Sequence, residues 1–234
     1  MAPKKTRAQK AESRAGAAPA DAVLTGTVIR SGGGFYDVDV PDEEEIIVCA
    51  LAGVLKKGRR THAQPVVVGD RVLVRRTLSE GENAQGDRVQ EGYIEAVLPR
   101  HSALGRSRYG KTTQITLANL DLVVVVLALH EPEFNAHRLD RFLVLAEASE
   151  LPAAIVLNKS DLATKTEMKK RFAPIIRRYE ALGYPVLPVS AETDAGIPRL
   201  RELLKDKISA VVGSSGVGKS SLINAVQPGL RLWV

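Results

Sequence analysis

The chain has 234 residues, 44% of them hydrophobic and 26% charged, which is enough to bury one large core or two small ones and excludes a disordered polymer. Its 33 Lys and Arg against 27 Asp and Glu give a net charge of +6, a modest bias toward polyanionic partners. The single cysteine, Cys49, excludes a disulfide framework or a cysteine-built zinc site within these residues, and no run of about 18 apolar residues is present to cross a membrane.

Residues 1–20 carry Lys4, Lys5, Arg7, Lys10 and Arg14 against Glu12, in a setting of Ala, Pro and Gly. Such a segment buries too little apolar surface to offset its ordering entropy, so it reads as a disordered basic tail. It is either a solvated tail or an arm that neutralises phosphates. No apolar stretch follows it to make a secretory signal. Its basic, Ala-rich character leaves an organellar transit peptide open beside the default of a cytoplasmic protein.

Residues 21–98 read as all-β. Short β-branched runs at 23–29, 35–40, 46–51, 66–74 and 89–98 are separated by turn signals at Gly32-Gly33-Gly34, Pro41-Asp42, Lys57-Gly58 and 81–86. Five short strands over this length predict a small closed barrel of the OB type. Its aromatics are Phe35, Tyr36 and Tyr93, too few for a strong base-stacking signal. The loop carrying Lys56, Lys57, Arg59 and Arg60 is a phosphate clamp or a solvated loop, and Cys49 reads as a small buried hydrophobe on a strand. Residues 99–119 read as a basic linker. Arg100, Arg106, Arg108 and Lys111 stand there without an acid from Pro99 to Gln114, a second candidate for contact with RNA backbone.

From Leu120 the pattern alternates strand and helix. The apolar run 122–129 fits a strand covered on both faces, and Leu139, Phe142, Leu143 and Ala146 have helical spacing. Then come a strand at 153–157, a helix at 167–182 split or kinked by Pro174, and a strand at 186–189. A short helix at 199–204, a strand at 208–212 and a helix at 219–226 follow. Repeated βα units predict a doubly wound sheet, whose ligands bind beyond the carboxyl ends of the strands.

Three motifs sit at such strand ends. Gly213-Ser214-Ser215-Gly216-Val217-Gly218-Lys219-Ser220 matches the phosphate-binding P-loop, directly after a strand and at the opening of a helix that continues with Ser221. Glycines let the backbone turn its N–H groups onto phosphates, and the helix N-terminus adds a favourable field. Lys219 is assigned to the β- and γ-phosphates and Ser220 to Mg²⁺, the two candidate catalytic residues. Asn158-Lys159-Ser160-Asp161 is an N-K-x-D sequence. A carboxylate at Asp161 can accept from the N1–H and 2-amino groups of guanine, whereas adenine offers neither donor and would leave a buried carboxylate unpaired. The stem of Lys159 can lie along the base, and Asn158 can tie this loop to the P-loop. Ser190-Ala191 can present a backbone N–H to the guanine O6. An ATP-dependent kinase or transporter ATPase is disfavoured by the N-K-S-D sequence.

The order N-K-S-D, Ser-Ala, P-loop is a circular permutation of the usual GTPase order. At this point the chain resembles the RsgA/YjeQ family, circularly permuted bacterial GTPases dependent on the small ribosomal subunit. The resemblance runs from about Val23 through Val68-Gly69-Asp70-Arg71-Val72, Leu98-Pro99-Arg100, Asn119-Leu120-Asp121, Pro132 to Asn135 and Arg141-Phe142-Leu143, then the three motifs and Leu222-Ile223-Asn224. It implies an OB-like barrel followed by a circularly permuted P-loop α/β GTPase domain. It also implies GTP/GDP and Mg²⁺ as cofactors, and the small ribosomal subunit and its rRNA as partners in late maturation. The residues themselves suggest no membrane partner and nothing beyond a monomer.

Family members continue with a switch threonine, a D-T-P-G-type element and a cysteine/histidine zinc module. No D-x-x-G follows Ser220 here, and the chain reads Gly229-Leu-Arg-Leu-Trp-Val234 before any of these. The expectation is therefore a GTPase domain cut before its switch elements, with zinc belonging to the module beyond. His62, His101, His130 and His137 read as solvated or structural. Two function classes stay open, a GTP hydrolase and a non-hydrolysing module that binds RNA and GTP.

Overall fold

The computed structural model describes residues 23–41, 43, 46–53, 55, 66–77, 92–108 and 111–227. The readings made for the N-terminal tail, the basic loop at 56–60, the turn at 81–86, His62 and the residues from 229 onward lie outside this set. The chain divides into two compact units, one up to Asn119 and one from Leu120.

In the first unit, β1 (Val23–Gly32), β2 (Phe35–Asp39), β3 (Ile47–Leu51), β4 (Arg71–Arg76) and β5 (Gly92–Val97) close into a barrel in the order β1-β2-β3-β5-β4. Alternation drives the closure. Val28, Val38, Ile47, Cys49, Val72, Val74 and Ile94 are completely buried in the barrel core, each large aliphatic among them contributing about 1.5–3 kcal/mol. Cys49 is the small interior hydrophobe expected of it, a free thiol. Tyr36 also points inward, 5% exposed, so it is no candidate for stacking on a ligand.

The strand expected at 66–74 is shorter at its start, because the chain turns at Gly69. There φ is +91°, and a Cβ would fall 2.0 Å from the carbonyl oxygen of Ala118. Only glycine permits both that backbone and that approach. Where a basic linker was expected, the chain folds into an antiparallel hairpin of β6 (Ala103–Arg108) and β7 (Lys111–Ala118). Its charges concealed an apolar pair, Leu104 opposite Leu117, and Leu104 and Ala118 are buried. The turn at Gly69 clasps the hairpin, with Ala118 N donating to Val68 O at 3.0 Å and the Asn119 amide to Gly69 O at 2.8 Å.

Asp70 is completely buried beside this turn and accepts from Val67 N at 2.8 Å. It also takes a bidentate bond from Arg100, Nε at 2.6 Å and Nη2 at 2.8 Å. That hydrogen bond holds the Arg100 guanidinium more firmly protonated than usual. Arg100, grouped at first with candidate RNA contacts, is instead spent inside the unit.

The second unit is built on a parallel sheet of β8 (Leu122–Ala128), β9 (Ala153–Asn158), β10 (Val186–Pro188) and β11 (Ser209–Val212), in the order β10-β9-β8-β11. Every residue of β8 and β9 is buried, which is why both read as unbroken apolar runs. Helix α1 (Ala136–Glu147) packs on β8 and β9 through Leu139, Leu143 and Ala146. Residues of α4 (Ile197–Leu204) and α5 (Lys219–Val226) join a core with Leu122, Val124 and Val126.

The helix expected over 167–182 is interrupted as the proline suggested. It runs as α2 (Lys165–Glu167), a π-helical turn (Met168–Phe172) and α3 (Ala173–Ala181). Ala173 N reaches five residues back to Met168 O, and Pro174 has no N–H to continue the ladder. Tyr179 on α3 then donates to Asp140 on α1 at 2.8 Å. No helix among the described residues is long and apolar enough to cross a membrane.

Replacing Asp70 with Ala strands the Arg100 charge and the Val67 amide. The expected loss is about 3 kcal/mol of stability in the first unit, read by urea unfolding. Burial first, and then the bond to Asp140, push the Tyr179 hydroxyl up to about 12. An unfolded tyrosine ionises near ~10, so above that pH the unfolded chain binds fewer protons than the folded one. The stability Tyr179 contributes is complete below pH ~10 and is lost as pH rises through about 12. A difference titration of tyrosinate absorbance against Tyr179→Phe should place its midpoint near that upper value.

Candidate functional site

The three motifs lie at the carboxyl ends of β9, β10 and β11. β9 ends on Asn158, 2% exposed, whose Nδ2 donates to Val217 O of the P-loop at 2.9 Å across 59 residues of chain. The tie holds only because residue 218 is glycine. Gly218 has φ +88°, and a Cβ there would sit 2.5 Å from that same Nδ2. Asn158 Oδ1 is buried without a hydrogen-bond partner. A buried acceptor left so costs about 1–3 kcal/mol, which a donor on a bound ligand would offset.

Lys159 follows in the left-handed region, φ 58°, and its ammonium donates to Glu131 O in the loop after β8. Ser160 N donates to Val189 O at 2.9 Å, drawing the N-K-S-D loop onto the end of β10. Asp161 lies in the 3-10 turn Ser160–Leu162 and faces solvent. The carboxylate expected to be buried here is exposed. Ser190 is completely buried. Its Oγ accepts from Glu192 N at 3.2 Å and Thr193 N at 3.1 Å, which shapes the turn that carries Ala191.

The P-loop follows β11 at Gly213, and Gly218 precedes α5. Val217 is buried, while Ser215, Gly216, Ser220 and Ser221 are exposed and Ser214 is half-buried. The Lys219 ammonium folds back over the loop, donating to Gly213 O at 3.0 Å and Ser214 O at 2.9 Å. A cation held on neutral carbonyls is available to an anion that displaces them. The residues present fit a nucleoside phosphate: loop glycines, a poised ammonium, hydroxyls at the helix start and an unpaired buried acceptor.

One part of the site was not legible beforehand. Residues after β8 form a polar and aromatic brace around His130. Its Nδ1 lies 3.4 Å from Glu133 Oε2 and its Nε2 3.6 Å from Glu167 Oε1. Its ring packs edge-on against Phe172, a completely buried residue of the π-helical turn. Arg171 pairs with Glu133, and that hydrogen bond holds the Glu133 carboxyl below the usual range. The brace positions Glu131, the acceptor for Lys159. His101 and His137 are exposed.

A parallel sheet carrying the guanine-type loops ahead of a P-loop defines the circularly permuted P-loop GTPase fold. The model of the RsgA GTPase matches residues 97–234, and that of the RsgA N-terminal domain matches residues 25–83. The chain belongs to the RsgA GTPase family. A small ribosomal subunit biogenesis GTPase RsgA from Shewanella oneidensis is 38% identical over 210 residues, 90% of this chain and 55% of that protein. The protein of that name from Thermotoga petrophila is 40% identical over 202 residues, 84% of this chain and 59% of its own length. The chain thus spans little more than half the length of these relatives. The crystal structure of YjeQ from Thermotoga maritima superposes with a TM-score of 0.69 at 35% identity, covering 91% of this chain and 68% of that one. YloQ, described as a circularly permuted GTPase, gives 0.64 at 28% identity, covering 88% and 65%.

Gly218→Ala forces a methyl group against the Asn158 amide in a backbone region that side chains rarely adopt. It should lower the stability of the second unit by about 1–3 kcal/mol in denaturant unfolding, with Asn158→Ala removing part of the same energy rather than adding to it.

Proposed function

We propose that this chain binds a guanine nucleotide with Mg²⁺ and serves a GTPase of small ribosomal subunit maturation in the cytoplasm. The observation that carries the nucleotide reading is the Asn158–Val217 bond, which joins the base-type loop to the phosphate loop. Asp161 accepts from the N1–H and 2-amino groups of guanine, and the turn held by Ser190 aims the Ala191 amide at O6. The stem of Lys159, anchored at Glu131 O, flanks the base. Backbone amides from Gly213 to Lys219 cradle the phosphates, and the Lys219 ammonium leaves the Gly213 and Ser214 carbonyls for the β- and γ-phosphates. Ser220 and Ser221 stand at the opening of α5, and Ser220 would hold Mg²⁺, which would supply charge neutralisation at the phosphate oxygens.

The ribosomal part of the reading rests on family membership, on relatives named for small ribosomal subunit biogenesis, and on the net charge of +6, which suits rRNA.

Calorimetry with Mg²⁺ tests the assignment. GDP should bind at least about a hundredfold more tightly than ADP, because adenine leaves the polar groups of the site unpaired. Lys219→Ala should weaken GDP by about tenfold or more through loss of a charge-assisted bond. Asp161→Asn should move the preference toward xanthosine diphosphate. Equal affinity for GDP and ADP, or a guanine preference untouched by Asp161→Asn, would overturn the guanine site.

A further inference from the structure

The cluster around His130 stands where the loop after β8 meets the chain that follows Asp161. His130 and Glu131 are neighbours in sequence, yet they hold opposite ends of one segment. Glu131 O accepts from the Lys159 ammonium at the start of that segment. His130 faces Glu167 at its end, with Nε2 lying 3.6 Å from Oε1. Asp161 stands between these two attachments, in the turn Ser160–Leu162.

The far attachment is firm on both sides. Glu167 closes a capping box with Thr164. Glu167 N donates to Thr164 Oγ1 at 3.2 Å, and Glu167 Oε2 accepts from Thr164 N at 2.9 Å and from the Thr164 hydroxyl at 2.8 Å. The backbone bond first, and then the hydroxyl, hold the Glu167 carboxyl below the usual carboxylate range. One carboxylate oxygen is thus engaged at the helix start, and the other is left for His130. The imidazole is confined in turn. Its Nδ1 lies 3.4 Å from Glu133 Oε2, and its ring meets Phe172 edge-on with centroids 5.9 Å apart. Phe172 is completely buried, with Phe134 edge-on at 6.2 Å and the Arg171 guanidinium 4.9 Å from its ring centre. Nε2 is buried without a hydrogen-bond partner, which leaves Glu167 as the charged group it faces.

The bond from Ser160 N to Val189 O fixes the turn on the near side of Asp161. On the far side the chain is held at Thr164 and Glu167. We propose that His130 is a positioning residue for base recognition: by holding Glu167, and through it Thr164, it fixes the far arm of the turn that presents the Asp161 carboxylate. The inference deepens the guanine reading given above and rests on it. If His130 only stiffened the unit, every nucleotide would lose affinity alike. Positioning of Asp161 instead makes the loss follow the number of donors a base offers to that carboxylate. Guanine offers N1–H and the 2-amino group, hypoxanthine offers N1–H alone, and adenine offers neither.

Competition calorimetry with Mg²⁺ on the whole chain compares GDP, inosine diphosphate and ADP. Wild-type affinity should fall in that order, by about tenfold for each charge-assisted bond lost. His130→Ala should weaken GDP by about tenfold and inosine diphosphate by about threefold, and should leave ADP unchanged. Glu167→Gln keeps a carbonyl oxygen for Thr164 but presents no charge to His130, so it should give the same graded pattern more weakly. Joined to His130→Ala it should add nothing, because both changes cut one contact. His130→Gln, whose amide can still reach a carboxylate, should recover part of the GDP affinity. Should His130→Ala fail to fold, Glu167→Gln carries the test by itself. The positioning role is overturned if the wild type shows the order while the variants weaken all three nucleotides alike, or weaken none. A wild type that binds the three equally would overturn the guanine reading, and this inference with it.

Discussion

One hydrogen bond organises the second unit, the 2.9 Å bond from Asn158 Nδ2 to Val217 O. It can form because the Cα of Gly218 carries no side chain, and it is buried, so nothing in solvent competes with it. Everything the site can do depends on it. The loop that can read a base comes from the end of β9 and the loop that can cradle phosphates from the end of β11, with β8 between them in the sheet. A nucleotide spans both only if their separation is set before it arrives. The bond from Ser160 N to Val189 O extends the same register to the end of β10.

That dependence also explains how the permuted order is tolerated. Sheet, loops and ties are relations in space, and none of them requires a particular chain order. Parallel neighbours β8 and β11 pair from Leu122 with Ser209 to Val125 with Val212, although 87 residues separate the first pair. What the order does change is which loops are continuous. The loop after β8 is braced through His130, Glu133, Arg171 and Phe172 onto the π-helical turn, and it offers Glu131 O to Lys159. A residue of the base-type loop is thereby tied to a second strand end besides the P-loop.

The first unit solves a different problem. A barrel this small has a modest core, and its stability leans in part on the ion pair between completely buried Asp70 and half-buried Arg100, where the turn at Gly69 meets the hairpin. Asp70 is satisfied by Arg100 and by the Val67 amide, so the charge is not left bare in the interior. The junction makes β6 and β7 part of the unit rather than a tether. It also commits the Arg100 guanidinium to Asp70.

Much of this was legible in the residues themselves. The P-loop, the N-K-S-D loop, the five barrel strands and the break in the middle helix all announce themselves locally, through glycine spacing, β-branched alternation and a proline that lacks an N–H, whereas the π-helical form of that break does not. Those are properties of a few consecutive residues, and they survive whatever the rest of the chain does. The hairpin at 103–118 was hidden because its charges outnumber its apolar pair, and only docking on the Gly69 turn buries Leu104 and Ala118. Tertiary structure alone decided that Tyr36 turns inward, that Arg100 is spent on Asp70, and that Asn158 meets the P-loop over Gly218. Each of these is a contact between residues far apart in sequence, where strand register and close approach of backbones, not residue type, determine what touches what.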